Sequence, residues 1–127
     1  MRAPESRYQR GRDTMRAIFG PDMDSALKGL AGMCPELEQC LVEFPFGDIY
    51  TRPTLDLKTR EMLTVAALTV LGYAQSELRE HIRGARQVGC SRDEILEIIL
   101  QMAVYGGFPA ALGAVKTAAQ VFKEEPN

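Results

Sequence analysis

Apolar residues recur at helical intervals along most of the chain, and no segment alternates polar and apolar positions for the length of a half-buried strand. The pattern predicts an all-α protein of about six to seven helices. Pro4 and Glu5 are placed to open a first, largely polar helix, with Tyr8, Met15, Ile18 and Phe19 on one side and Gly20-Pro21 as its stop. A short second helix covers 22–33. Pro35 sits at the first turn of a third, through "PELEQCLVEF", where its missing amide hydrogen costs nothing. Pro45 should break or kink that helix and leave "FGDIYTRPTLD" irregular.

Asp56 can cap a fourth helix, which is apolar on nearly every face from Met62 to Leu71 and should be buried all round. A fifth, "SELREHIRGARQVG", carries Leu78, Ile82 and Ala85 in one stripe and ends at Gly89. Ser91 with Glu94 forms a capping box for a sixth, whose Ile95, Leu96, Ile98, Ile99, Met102 and Val104 cover more than one face. Pro109 opens a seventh, rich in alanine and glycine, and the tail "KEEPN" should fray. Two short helices apolar on most sides cannot both be covered by so small a chain, so a homo-oligomer is expected.

Composition narrows the class. At 127 residues the chain fits a single domain, 1–127, and 46% hydrophobic with 25% charged residues is globular rather than disordered. The net charge of −2 is spread over interspersed acids and bases, which disfavours nucleic acid as a partner. The start, "MRAPESRYQRGRD", lacks an apolar leader and "MLTVAALTVLGYA" is too short to span a bilayer, so a cytoplasmic protein with no membrane association is expected. Cys34, Cys40 and Cys90 form no CxxC pair, and with one histidine and no clustered ligands neither a disulfide framework nor a metal site is expected.

His81, the only histidine, lies about 60° from the apolar stripe of the fifth helix, at the rim of its buried face. Glu77 is one turn earlier on the same side and could hold a ring nitrogen through an i,i+4 contact, giving an acid–base group suited to neutral pH. A boundary residue making an ordinary surface contact is the other reading, and Glu61 is an alternative partner. Arg52, Arg60 and Arg83 offer guanidinium forks for carboxylates or are solvated surface charges. Asp48 and Glu61 are acids or ion-pair partners of these arginines. The Cys90 thiol precedes a helix N-terminus, where the dipole favours thiolate, although no resolving cysteine is near in sequence.

"GDIYTRPTLDLKTREMLTVAAL" and "ELREHIRGARQVGCSRDEILEIILQMAVYGGFPAA", in that order and at that separation, resemble the carboxymuconolactone decarboxylase family over about residues 8–122. The resemblance implies the all-α fold shared with alkylhydroperoxidase D, assembled as a trimer or hexamer. The peroxidase branch has a CxxC pair before the histidine; Ala74 and Glu77 stand there in this chain. "ELREH" and "VYGGFPAA" match the decarboxylase branch instead. That branch implies a carboxy-lyase acting on a small carboxylated lactone without cofactor, as in bacterial breakdown of protocatechuate. His81 and Glu77 would be catalytic, and Arg52, Tyr50, Phe46, Arg83 and Tyr105 would bind substrate. Thiol-dependent peroxidase activity and non-catalytic small-molecule binding are the alternatives. Tyr50 and Thr54 stand where the authentic lactone decarboxylase has tryptophan and glycine, and "ALGAVK" lacks its further histidine.

Overall fold

A computed structural model describes residues 5–126, which form seven α-helices and one π-helical segment, with no strand among the described residues. The chain divides into two compact units, 1–56 and 57–127.

The first unit contains α1 (Arg7–Phe19), α2 (Met23–Met33), α3 (Pro35–Leu41) and the π-helix Val42–Ile49. Ser6, rather than Pro4 and Glu5, marks the start of α1: its hydroxyl accepts from the Gln9 amide at 3.0 Å. Pro4 lies outside the described residues. Gly20 ends α1 with φ 78°, a conformation open to glycine at little cost. The break expected at Pro45 does not occur. The helix widens instead, so that the Tyr50 amide donates to the Pro45 carbonyl at 2.8 Å, five residues back. A wider turn draws the carbonyl of the preceding turn away from the proline ring and tolerates the missing donor, which an α-helical turn does not.

α1 lies against this π-helix at a separation that only glycine allows. A Cβ on Gly11 would run into the Val42 carbonyl, and one on Gly47 would come within 2.5 Å of the Arg7 carbonyl. Met15, Ile18, Leu27, Val42 and Phe46 are buried in this unit. Around them, the Arg7 fork grips Asp48 at 2.6–3.1 Å, and Asp24 accepts from Arg12 at 2.7 Å and Arg16 at 2.9 Å.

The second unit packs α4 (Leu57–Leu71), α5 (Gln75–Gln87), α6 (Arg92–Gly106) and α7 (Phe108–Glu124) around one core. Val65, Leu78, Ile82, Ala85, Ile95, Ile99, Ala114 and Ala118 are essentially inaccessible. The α5 stripe is as expected, Gly89 follows the helix with φ 107°, and the Ser91–Glu94 capping box is present in both directions. Within the chain α4 is not covered on every face: Leu63 and Leu71 are exposed, as are Leu100 and Val104 of α6. Four helices have too few neighbours to cover every apolar face. Nor does the tail fray at once: Glu125 accepts from Arg86 at 2.7 and 3.0 Å and from Arg92 at 3.0 Å, which pins the end of α7. No helix among the described residues is long and apolar enough to cross a membrane.

Candidate active site

Glu61, Val65 and Thr69 recur at four-residue spacing on α4 and form its buried face. Thr69 satisfies its hydroxyl locally by donating to the Val65 carbonyl at 2.8 Å. A carboxylate cannot do this, because the helix offers it no free donor at mid-length. Glu61 is 0% exposed and must find a donor on another element, since a buried charge without one is strongly unfavourable. The donor is His81 of α5: its Nδ1 lies 2.8 Å from Oε2 and 3.2 Å from Oε1 of Glu61. Leu78, Ile82 and Ala85, buried on the same helix, fix the rotation that presents His81 to α4.

Of the two carboxylates open as partners from the sequence, Glu77 and Glu61, the ring nitrogen meets Glu61. Glu77 lies exposed, and the carboxylate on Nδ1 comes from 20 residues away across the helix pair. When Glu61 is ionised it only accepts, and Nδ1 then carries the proton of this bond. Proton exchange then falls to Nε2. The imidazole keeps 16% of its side-chain exposure, so it is neither sealed in the core nor freely solvated. A buried carboxylate holding one ring nitrogen while the other gains or loses a proton is the arrangement an orienting acid gives a general acid–base histidine.

The other residues singled out from sequence have diverse positions. In the second unit, Arg83 is exposed and 3.6 Å from Glu80. Arg60 is half-buried on α4 beside Glu61 in sequence, and Tyr105 of α6 is 73% exposed. In the first unit, Phe46 is a core residue, edge-on to Phe19 at 5.8 Å and tilted against Tyr50 at 4.9 Å. Asp48 is committed to Arg7 and Arg10, and the Arg7 guanidinium holds its carboxyl below the ordinary range, which makes it an ion-pair anchor rather than a proton donor. Arg52 is exposed, after the π-helix.

Cys90 is buried in the second core, and burial pushes its thiol up, opposite to the effect expected from the helix end it precedes. Desolvation outweighs the dipole there. Among the described residues no three His, Cys, Asp or Glu side chains converge as a metal site requires.

The described chain is thus all-helical and carries a buried carboxylate paired with the imidazole of His81. Residues 35–120 match the carboxymuconolactone decarboxylase family, and the chain belongs to it. It is 32% identical over 121 residues to 4-carboxymuconolactone decarboxylase of Acinetobacter baylyi, spanning 94% of this chain and 90% of that protein. An uncharacterized 15.0 kDa protein of Paracoccus denitrificans is 36% identical over 119 residues, 92% of this chain and 88% of the relative. Nitrosuccinic acid decarboxylase of Metarhizium robertsii is 30% identical over 109 residues, 85% of this chain and 76% of the relative.

Proposed function

We propose that this protein is a carboxy-lyase that removes carbon dioxide from a small carboxylated lactone, needing no organic cofactor or metal, with His81 as its acid–base group and Glu61 as the residue that positions it. The observation that carries the reading is the fully buried Glu61 carboxylate at 2.8 Å from His81 Nδ1. Two of the relatives bear the name decarboxylase, which supports loss of a carboxyl group as the reaction class. Their named substrates differ, so the lactone is the finer part of the proposal.

The chemistry asks little of the protein beyond charge and a proton. As the carbon–carbon bond to the carboxylate breaks, carbon dioxide leaves and the bonding pair spreads through the unsaturated lactone to its carbonyl. The imidazolium at His81 returns one proton to the carbon or to the oxyanion, and solvent restores it. One substrate anion and one proton give one carbon dioxide and the decarboxylated lactone. Glu61 stabilises the imidazolium and keeps Nδ1 as the inward donor throughout. Arg83, on the same helix as His81, is a candidate clamp for a second carboxylate of the substrate. Cations brought to the departing carboxylate would stabilise the ground state, so the clamp belongs on the other arm.

The exposed apolar side chains of α6 and α7, among them Leu100, Val104, Phe108 and Leu112, support self-association as a trimer or hexamer. A cytoplasmic location completes the reading. A thiol peroxidase is less well supported: Ala74 and Glu77 occupy the places of the thiol pair, and burial suppresses the thiolate at Cys90.

The test is ultraviolet-monitored consumption of γ-carboxymuconolactone with coupled carbon dioxide release, run beside nitrosuccinate, for wild type and His81→Gln. Turnover that falls by about 10²–10⁴-fold in the variant at unchanged assembly is expected. If the wild type releases carbon dioxide from neither compound, the proposal fails for both substrate types. If His81→Gln retains full rate, the catalytic role of the histidine is wrong.

A further inference from the structure

The first unit holds a cavity of about 340 Å³ that the proposed reaction does not use. Its size falls within the range of small-molecule sites. Tyr8 and Arg12 of α1 line one side, Asp24 and Lys28 of α2 another, and Glu38 of α3 lies against them over an apolar patch at Leu27.

Among the described residues, the hydrogen bonds around this cavity leave one carboxylate oxygen and one ammonium without a partner. Asp24 is saturated by Arg12 and Arg16, and Arg12 also reaches the Tyr8 oxygen at 3.5 Å. Glu38 is only 6% exposed, and its Oε1 accepts the Tyr8 hydroxyl at 2.6 Å. That bond pushes the phenol's ionisation up, as a charged carboxylate acceptor does. Oε2 of Glu38 accepts no hydrogen bond from the described residues, yet no fully buried side-chain oxygen among them lacks a partner, so Oε2 is not sealed off, and Glu38 lines this cavity. Lys28 is exposed at the same cavity and is paired with no carboxylate among the described residues.

One open anionic oxygen and one unpaired ammonium therefore border the same space. The four charged side chains of the lining, Arg12, Lys28, Asp24 and Glu38, sum to zero. A simple cation would meet Arg12 and Lys28, and a simple anion would meet Glu38 at a buried position. A ligand with both charges and no net charge satisfies each group. We propose that this cavity binds a small zwitterion, a free α-amino acid, with its ammonium on Glu38 and its carboxylate on Lys28. The apolar wall at Leu27 suits a short aliphatic side chain.

The probe is L-alanine, titrated into the full-length protein by calorimetry and by amide chemical shifts, with N-acetyl-L-alanine and L-alanine methyl ester as controls. Saturable binding of L-alanine is expected, weakened about tenfold or more by blocking either end, because each block removes one charged hydrogen bond. Glu38→Gln should weaken it similarly. Should Glu38→Gln unfold the unit, Lys28→Ala tests the other end on an exposed side chain with no structural partner and should also cost about tenfold. No saturation by L-alanine at about 10 mM would overturn the proposal. So would equal binding of the two blocked compounds, or shift changes confined to residues 57–127.

Discussion

The two units each bury a glutamate, and each glutamate accepts a short hydrogen bond from an aromatic ring. Glu38 takes the hydroxyl of Tyr8 at 2.6 Å, and Glu61 takes Nδ1 of His81 at 2.8 Å. The difference lies in the donor. Phenol is already far from ionisation at neutral pH, and the bond to Glu38 moves it further, so this pair holds its proton through the physiological range. Imidazole is the side chain whose ordinary titration lies near neutrality, which is why the proposed reaction assigns proton exchange to the second pair and not to the first. Burial of a carboxylate is thus not itself a catalytic sign. What it is bonded to decides between a structural or binding role and acid–base chemistry.

The strongest way to break this comparison is to neutralise each glutamate in turn. Glu61→Gln keeps the size and one acceptor but removes the charge that stabilises an imidazolium, so turnover of the lactone should fall by about 10²-fold or more, mostly in kcat. Glu38→Gln should leave kcat within about twofold while the first unit remains folded. Steady-state rates with circular dichroism on both variants decide the matter. Equal losses would mean that both glutamates act through stability alone.

That contrast was only half legible in the sequence. Local rules served well where the interaction is local: the Ser91–Glu94 capping box, the stop at Gly89 and the Leu78, Ile82 and Ala85 stripe are all contained within a few residues. The rule for Pro45 failed because it assumes α-helical geometry, and the chain escapes by widening into a π-helix. His81 stands out as the sole histidine, but the sequence leaves its partner open between Glu77, the i,i+4 neighbour a single helix reveals, and Glu61. The Glu61 pairing depends on how α4 packs against α5, which no spacing along one helix encodes. A carboxylate on the same helical face as Val65 and Thr69 was the available signal. Glu125, bonded to Arg86 and Arg92 over more than 30 positions, escaped notice for the same reason.

A second comparison concerns how the units cohere. The second relies on a broad aliphatic core, whereas the first depends on α1 and the π-helix meeting backbone to backbone at Gly11 and Gly47. Gly11→Ala should therefore destabilise by about 1–3 kcal/mol, because the Val42 carbonyl is backbone and cannot swing aside. Gly29→Ala on α2, where an added methyl meets nothing within 4 Å, should instead gain about 0.5–1 kcal/mol from helix propensity. Urea denaturation of the pair checks both signs. If Gly11→Ala is neutral, the close approach is not what holds the first unit together.

The smallest expected effect is on the rim of the second unit, where the comparison predicts ordinary surface behaviour. The hydrogen bond from Arg86 holds the Glu125 carboxyl below its usual range; burial opposes this, and Arg92 adds to the lowering. A carboxyl depressed on folding contributes stability above its unfolded value and loses it as the pH falls through the folded one. Anchoring of the last turn of α7 should accordingly be complete at neutral pH and weaken as the pH drops from about 5 toward 2. Glu125→Gln should mimic the acid state at neutral pH, at a cost of about 1 kcal/mol or less because the arginines remain partly solvated. Amide hydrogen exchange of residues 120–125, compared at two pH values in wild type and variant, reads this directly. Equal protection in all four conditions would show that α7 is held by Val121 and its apolar neighbours and that the ion pairs contribute nothing.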